Sequence, residues 1–216
     1  MNESEAHMRT VLYLLRHGAT EANLAKPARL LGCRLDPPLA PVGVRQAECT
    51  RDFLAVRPVD FCYCSPMKRA RQTAQIIADP HDLEPVAHPG LIECDLGAWE
   101  GLDWETIRAR DGDRYREFMQ NPARFGHPEG ESYADVFARV DQTMNELIER
   151  HAGQTVLVVA HHVVHRVYIA SLLGLGIEQA RQVALDPCAI SLVAHNDGKF
   201  SVTTLNAAFH LQGLAA

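Results

Sequence analysis

Short apolar runs alternate with segments of helical periodicity along this chain. Residues 11–15 (VLYLL), 61–64 (FCYC) and 155–160 (TVLVVA) are continuously apolar, and polar residues halt each run. Such runs are typical of strands buried on both faces of a parallel sheet. Residues 189–194 and 200–205 flank an Asn-Asp-Gly sequence, which predicts a β-hairpin.

Apolar residues at helical spacing predict the other elements. Pro41 and Pro66 each open such a segment, which suits the first turn of a helix, and the helix after Pro66 is predicted over residues 67–78. Residues 131–151 and 161–173 show the same spacing. Strands that alternate with helices predict an α/β domain with a largely parallel sheet.

A length of 216 residues is enough for one domain with a sizeable core. We expect a single domain over residues 11–212, preceded by a flexible tail at residues 1–10. The segment at about 97–128 is rich in aromatic and polar residues and is predicted to form a helical insertion over one edge of the sheet.

Composition and charge narrow the classes of function. The formal net charge of −6 argues against a general nucleic-acid binder, because such proteins are usually basic. No apolar run approaches the ~20 residues that span a bilayer, and the first ten residues lack the apolar core of a signal peptide. We therefore expect a cytoplasmic protein with no nucleic-acid or membrane partner, whose six cysteines are reduced. The oligomeric state stays open, with a homodimer as one alternative.

Polar residues follow three of the apolar runs at the point where each run ends. They are residues 16–18 (RHG), 65–69 (SPMKR) and 161–162 (HH). In open α/β sheets, ligands bind beyond the carboxyl ends of the strands. We therefore expect the three clusters to meet in one crevice.

These residue types suit the binding and transfer of a phosphoryl group. A guanidinium binds two phosphate oxygens at once and stays charged, and Arg16 and Arg69 each follow a predicted strand. His17 is a candidate nucleophile because neutral imidazole is basic near pH 7, and Gly18 permits close approach of the backbone to a ligand. A single arginine or histidine is more often solvated or structural, and the placement of the set favours function.

Other candidates lie further along the chain. Glu93 stands among aromatic and apolar residues, so a raised pKa would let it act as the general acid, although a solvated loop carboxylate is the commoner explanation in isolation. His161 opens a predicted helix, whose first N–H groups bind anions. Thr20 and Asn23 follow His17 closely enough to reach phosphate oxygens.

Six segments resemble motifs of the histidine phosphatase (phosphoglycerate mutase-like) superfamily. Residues 16–23 (RHGATEAN) resemble its R-H-G-x-T-x-x-N signature. The other five segments follow in the order of the family: residues 36–47 (DPPLAPVGVRQA), 65–74 (SPMKRARQTA), 93–101 (ECDLGAWEG), 128–132 (PEGES) and 158–161 (VVAH).

The resemblance implies a fold and a set of roles. The fold would be a three-layer α/β/α arrangement, with helices on both faces of a mixed, mostly parallel sheet. His17 would be the phosphorylated nucleophile, and Glu93 would protonate the leaving group and then activate water. The phosphate pocket would be formed by Arg16, Arg69 and His161, with a contribution from Asn23. The substrate would be a small phosphorylated metabolite, and neither a metal nor a cofactor is implied.

Two positions depart from the family pattern. His162 stands where the family usually has glycine, so we treat it only as a candidate substrate-binding residue. Ala40 replaces the usual threonine or serine before a helix, which removes an N-cap that contributes ~1 kcal/mol.

The phosphatase branch is favoured over the mutases, because the segment 101–127 is short and its basic residues are mixed with acids. Phosphoglycerate mutase activity remains the main alternative. A metal hydrolase that uses His161 and His165 at i, i+4 is a weaker one, because no carboxylate stands at ligand spacing and Arg166 would repel a cation. An inactive binding module is the remaining alternative. Sugar phosphates, phosphoglycerates, nucleotides and α-ribazole phosphate all remain open as substrates.

Overall fold

Six strands form one sheet in the computed structural model, which describes residues 9–214. In chain order they are β1 (Thr10–Arg16), β2 (Phe61–Cys64), β3 (Val86–Ala87), β4 (Thr155–Ala160), β5 (Ile190–Asn196) and β6 (Lys199–Ala207). The order across the sheet is β3-β2-β4-β1-β5-β6. The first four strands in this order are parallel, whereas β5 runs antiparallel to both β1 and β6. The sheet is therefore mixed and mostly parallel.

Helices lie along the chain between these strands. Those within residues 9–214 are α1 (Glu21–Leu24), α2 (Pro41–Leu54), α3 (Lys68–Ala78), α4 (Trp104–Arg110), α5 (Gly112–Gln120), α6 (Tyr133–Arg150) and α7 (His162–Leu172). Short 3₁₀ turns occupy Asp79–His81, Pro89–Leu91, Gly97–Trp99, Ile177–Gln182 and Phe209–Leu211.

The alternation of side chains along β1 shows how the helices divide between the two faces of the sheet. Leu12 and Leu14 pack into a core that also contains buried residues of α6 and α7. Tyr13 and Leu15 point the other way and pack with residues of α2 and α3. Because successive residues of a strand face opposite sides, one buried strand supplies both cores. The predicted three-layer α/β/α fold is confirmed.

The segment predicted as a helical insertion contains α4 and α5. Asp103 begins α4 as its N-cap, because its carboxylate accepts a hydrogen bond from the Thr106 N–H at 2.8 Å. Trp99 is fully buried and packs edge-on against Phe118, with ring centroids 5.4 Å apart. Trp104 also contacts Trp99 at 6.3 Å. This aromatic cluster joins the core on the α6 side of the sheet.

Two predicted boundaries can be compared with the structure. Thr10, which we placed in the tail, is the first residue of β1, and residues 1–8 of that predicted tail lie outside the described residues. The predicted hairpin joins β5 to β6, and Asp197 and Gly198 form its turn with φ values of 50° and 74°. In the described part of the chain, no helix is long and apolar enough to cross a membrane, and all six cysteines are free.

The start of α3 differs from the prediction. We predicted that Pro66 opens a helix over residues 67–78, whereas the helix begins at Lys68. The Ser65 hydroxyl accepts a hydrogen bond from the Met67 N–H at 3.3 Å, and Met67 keeps an extended backbone with φ −72° and ψ 143°. This side-chain turn keeps Met67 outside the helix, which therefore begins one residue later than predicted.

Candidate active site

The carboxyl ends of β1, β2 and β4 lie side by side, and the three predicted polar clusters meet there. Arg16 is paired with Ala160 across β1 and β4, and Cys64 is paired with Val159 across β2 and β4. A cavity of about 350 Å³ opens at this edge. Five residues predicted from the sequence line it: Arg16, His17, Asn23, Glu93 and His162.

His17 is held with its Nε2 unprotonated. Its Nδ1 lies 2.8 Å from the Gly18 carbonyl oxygen, which can only accept, so Nδ1 carries the proton. The lone pair is therefore on Nε2, and the Arg69 Nε–H points at it from 3.3 Å. Burial, together with Arg16 and Arg69, lowers the pKa of His17 well below its usual value. The imidazole thus stays neutral in the physiological range.

Gly18 lets the loop after β1 pack closely against the start of α2. A Cβ at this position would lie 2.4 Å from the Gly43 carbonyl oxygen, a distance that side chains do not tolerate. The Gly18 N–H donates to the Thr73 hydroxyl of α3 at 3.0 Å. The loop that carries His17 is therefore fixed by both helices on this face of the sheet.

Arg69 lies in the first turn of α3 and is fully buried. Its Nη1 donates to the Leu35 carbonyl oxygen at 3.0 Å, and its Nη2 donates to the Gly32 carbonyl oxygen at 2.9 Å. The Asp36 carboxylate lies 3.7 Å from Nη1. These contacts fix the plane of the guanidinium, and its Nε edge is left facing His17.

Arg16 supplies a second cation at the end of β1. Its Nη1 donates to the Leu185 carbonyl oxygen at 3.0 Å, while its Nε is buried without a partner. Burial lowers the pKa of Arg16 to about 10, and Glu93 opposes this shift. The guanidinium therefore stays charged at neutral pH, and its Nε–H has no partner.

His161 follows β4 and precedes the first residue of α7. Its Nε2 lies 2.7 Å from the Ser65 hydroxyl, and its Nδ1 is buried without a partner. The ring centroids of His161 and His17 are 5.2 Å apart. Burial, followed by Arg69, lowers the pKa of His161 well below its usual value. Ser65 was not among our predicted site residues, although it stands in the same motif as Arg69.

Glu93 is a buried carboxylate on the same cavity. The Cys94 N–H donates to Oε1 at 2.8 Å, and the Val163 N–H of α7 lies 3.4 Å from Oε2. Burial raises the pKa of Glu93, and these hydrogen bonds and Arg69 partly oppose the shift. A carboxyl group in this setting can carry a proton to a leaving group.

Comparison with known proteins identifies the family of the chain. A sequence model of the histidine phosphatase superfamily (branch 1) matches residues 12–208. The chain belongs to the histidine phosphatase superfamily. This confirms the resemblance noted from its sequence motifs.

Proteins named as phosphatases and a protein named as a probable mutase are similar to this chain. It is 32% identical over 200 residues to phosphoserine phosphatase 1 of Hydrogenobacter thermophilus, with 93% of each chain covered. It is 30% identical over 187 residues to a probable phosphoglycerate mutase GpmB of Yersinia pestis, which covers 86% of this chain and 85% of that one. A phosphoserine phosphatase of Entamoeba histolytica, solved in complex with phosphoserine, superposes with a TM-score of 0.82 at 29% identity and covers 94% of this chain and 99% of that one.

In this histidine phosphatase Thr20 is buried, whereas Asn23 lines the cavity. The Thr20 N–H and hydroxyl both donate to the Asn23 Oδ1, at 3.0 and 2.9 Å, and Thr20 is fully buried. This pair caps α1. Asn23 lines the cavity, and since its amide oxygen is used by the cap, its amide nitrogen is the group it can offer to a ligand.

Three arginines that were not predicted as site residues also line the cavity. They are Arg29, Arg166 and Arg181. Arg166 follows His162 by one helical turn on α7, and this spacing was the available signal. Arg181 comes from a 3₁₀ turn without recognisable periodicity, and no pattern pointed to it.

The positions of His161 and His165 do not favour the metal-hydrolase alternative. His165 is buried, and its Nε2 lies 3.0 Å from the Leu15 carbonyl oxygen, so this nitrogen is used by the backbone. Across residues 9–214, no group of three or more His, Cys, Asp or Glu side chains is placed to hold a metal ion.

Proposed function

We propose that this protein hydrolyses the phosphomonoester of a small metabolite through a phosphohistidine formed on His17. One observation carries the proposal: the neutral, buried imidazole of His17 lines the same cavity as Arg16 and Glu93, and its unprotonated Nε2 accepts a hydrogen bond from Arg69. A nucleophile, fixed cations and a proton donor are the groups that phosphoryl transfer requires.

In the first step, the lone pair of His17 Nε2 forms a bond to phosphorus as the bond from phosphorus to the ester oxygen breaks. The electron pair of the broken bond stays on that oxygen, which takes the proton of Glu93. Arg16, Arg69 and His161 bind the transferring phosphoryl oxygens. The products are an alcohol, a phosphohistidine and an ionised Glu93.

In the second step, the Glu93 carboxylate takes a proton from a water molecule as the water oxygen bonds to phosphorus. The bond from phosphorus to Nε2 breaks, and its electron pair returns to the ring. Phosphate leaves, and Glu93 is protonated again. The raised pKa of Glu93 supports this double role, because the group must hold a proton in one step and accept one in the next.

The size of the cavity and the names of the relatives support a small substrate. A volume of about 350 Å³ accommodates a phosphate ester of a few carbons. Relatives named phosphoserine phosphatase favour hydrolysis, whereas the relative named as a probable phosphoglycerate mutase keeps the mutase alternative. The two reactions differ in the acceptor of the phosphoryl group. A phosphatase releases phosphate into water, whereas a mutase transfers the phosphoryl group to a second hydroxyl of the substrate.

Turnover of an aryl phosphate and of phosphoserine, measured as phosphate release, tests the proposal. We expect His17→Ala to abolish turnover and His195→Ala to retain it, because His195 lies on β5 outside the cavity lining. Phosphate release from neither substrate, or equal rates in the wild type and His17→Ala, would refute the proposed function. Conversion of 3-phosphoglycerate into its isomer without phosphate release would favour the mutase.

A further inference from the structure

The loop that carries Glu93 is held by one pair of charged side chains, Arg139 of α6 and Glu131. Arg139 Nε donates to Glu131 Oε1 at 2.9 Å, and its Nη2 donates to Oε2 at 3.1 Å. The side chains are 22% and 26% exposed. A contact at two points between a guanidinium and a carboxylate fixes both planes. Nη1 is left for the loop, and it donates to the Gly90 carbonyl oxygen at 2.9 Å.

The pair binds the loop on both sides of Glu93. Arg139 Nη1 donates to the carbonyl oxygen of Ile92, the residue before Glu93, at 2.7 Å. Glu131 Oε2 accepts from the N–H of Asp95, two residues after Glu93, at 2.8 Å. The peptide groups that flank Glu93 are therefore bound to a single unit of two side chains.

The carboxyl group of Glu93 is bonded to this same backbone. Its Oε1 accepts from the N–H of Cys94, the next residue, at 2.8 Å, whereas the contact of Oε2 with the Val163 N–H is longer, at 3.4 Å. A shift of the loop therefore moves the carboxyl group with it. A misplacement of ~1 Å in a catalytic site can cost about 100-fold in rate.

Arg139 acts on Glu93 from outside the cavity. Neither Arg139 nor Glu131 belongs to the residues that line the cavity beside His17. The charges of Arg69 and Arg139 both oppose the rise that burial causes in the pKa of Glu93. Arg139 therefore influences Glu93 through the backbone and through its charge, without a place from which to touch the substrate.

We propose that Arg139 and Glu131 are positioning residues for Glu93, which they hold where its carboxyl group reaches the ester oxygen in the first step and the attacking water in the second. The inference rests on the proposed phosphomonoesterase function and adds two residues to it. Because both act through Glu93, they matter only in the steps that need Glu93. These are the departure of a poor leaving group and the hydrolysis of the phosphohistidine.

Two esters isolate the step that needs an acid. Phosphoserine has an alkoxide leaving group that needs a proton, whereas 4-nitrophenyl phosphate releases a stable phenolate without one. We expect Arg139→Met to raise the ratio of kcat/KM for the aryl ester to kcat/KM for phosphoserine at least about tenfold, and Glu131→Gln to raise it several-fold. For the aryl ester, kcat should fall while kcat/KM stays within about threefold, since hydrolysis of the phosphohistidine still needs Glu93.

Two controls separate positioning from a general structural defect. Arg150→Met removes the same charge from α6 and breaks an exposed ion pair with Glu146, and it should leave the ratio unchanged. In a Glu93→Gln background, Arg139→Met should change the ratio by less than about threefold, because an effect transmitted through Glu93 vanishes when Glu93 cannot donate a proton. If Arg139→Met does not fold, Arg139→Lys takes its place, since one ammonium group cannot bind the carboxylate and both carbonyl oxygens together.

A titration tests the contact without turnover. The carboxyl carbon of Glu93 would be followed by ¹³C NMR, with its resonance assigned through Glu93→Gln. Removal of a cation that opposes the effect of burial predicts that the pKa of Glu93 rises in Arg139→Met. Arg150→Met should leave this pKa unchanged.

Several results would overturn the positioning role. They are equal losses of kcat/KM for the two esters in Arg139→Met, no loss for either ester, or the same rise of the ratio in the Glu93→Gln background. Failure of the proposed function gives a different result, in which the wild-type protein hydrolyses neither ester. In that case a pKa of Glu93 that Arg139→Met leaves unmoved would overturn the contact as well, whereas a raised pKa would support the contact and refute hydrolysis alone.

Discussion

Replacing Glu100 by alanine tests how Arg69 is held toward His17, the proposed nucleophile. Glu100 Oε1 accepts hydrogen bonds from the backbone N–H groups of Gly32 and Leu35, at 2.8 and 2.9 Å. The carbonyl oxygens of these same two residues accept from the Arg69 guanidinium at 2.9 and 3.0 Å. Glu100 therefore fixes the loop whose carbonyl groups orient Arg69, and Arg69 Nε in turn faces His17.

The size of the effect follows from the two lost hydrogen bonds. Each contributes about 1 kcal/mol net, so Glu100→Ala removes about 2 kcal/mol that favours the observed loop conformation. If Arg69 is correctly oriented only in that conformation, kcat/KM falls by up to about 30-fold. Glu100→Gln keeps an acceptor in the position of Oε1, while its amide nitrogen replaces Oε2, which is buried without a partner. We expect this control to stay within about threefold of the wild type.

The assay compares catalysis with binding of a phosphate mimic. We would measure kcat/KM for an aryl phosphate, the inhibition constant of vanadate and the free energy of unfolding in urea. A positioning role predicts that Glu100→Ala loses kcat/KM and vanadate affinity by similar factors. If Glu100→Ala loses stability but keeps both catalytic readouts within threefold of wild type, Arg69 is oriented without this loop and the reasoning is wrong.

Four further predictions address the chemistry and the buried histidines. Glu93→Gln should slow esters with poor leaving groups far more than activated aryl esters, because only the former need a proton; equal losses would remove Glu93 from the acid role. Vanadate should inhibit competitively in steady-state assays, since it occupies the phosphoryl site formed by Arg16 and Arg69. Treatment with EDTA should leave turnover unchanged, because the proposed steps use side chains only, and recovery on adding metal would contradict this. Finally, burial lowers the pKa of His165 to about 4. The unfolded chain therefore binds this proton near pH 6.5 and the folded protein only near pH 4, so stability falls as the pH drops through this interval, by about 3 kcal/mol for this residue. Urea unfolding of His165→Gln at pH 7 and pH 4 should show that much less dependence on pH.

The elements that the sequence predicted well are those whose pattern reflects burial on two faces. The run at residues 155–160 coincides with β4, because a strand covered by helices on both sides must be continuously apolar and ends where polar groups begin. The short edge strand β3 was missed, since Val86 and Ala87 are exposed and carry no such pattern. Edge pairing of two residues depends on the neighbouring strand rather than on local sequence.

The candidate site also contains residues that could be predicted from the sequence and residues that could not. Arg16, His17, Arg69 and His161 could be predicted because they lie at or shortly after the ends of buried strands, and Glu93 because of its apolar surroundings in the sequence and its family motif. The three additional arginines of the cavity could not be predicted as a group. Arg29 lies in the loop between α1 and α2, Arg166 lies on a helix and Arg181 lies in a 3₁₀ turn, so only the folded chain brings them together.

Trapping the intermediate tests the central claim most directly. The protein would be mixed with a ³²P-labelled substrate, quenched within milliseconds in alkali and digested, and the labelled peptide would be sequenced. The account predicts a base-stable, acid-labile phosphoryl group on the imidazole of His17, formed and consumed at rates compatible with turnover. Active protein that never carries label on His17, or that carries it on another residue, would contradict the mechanism.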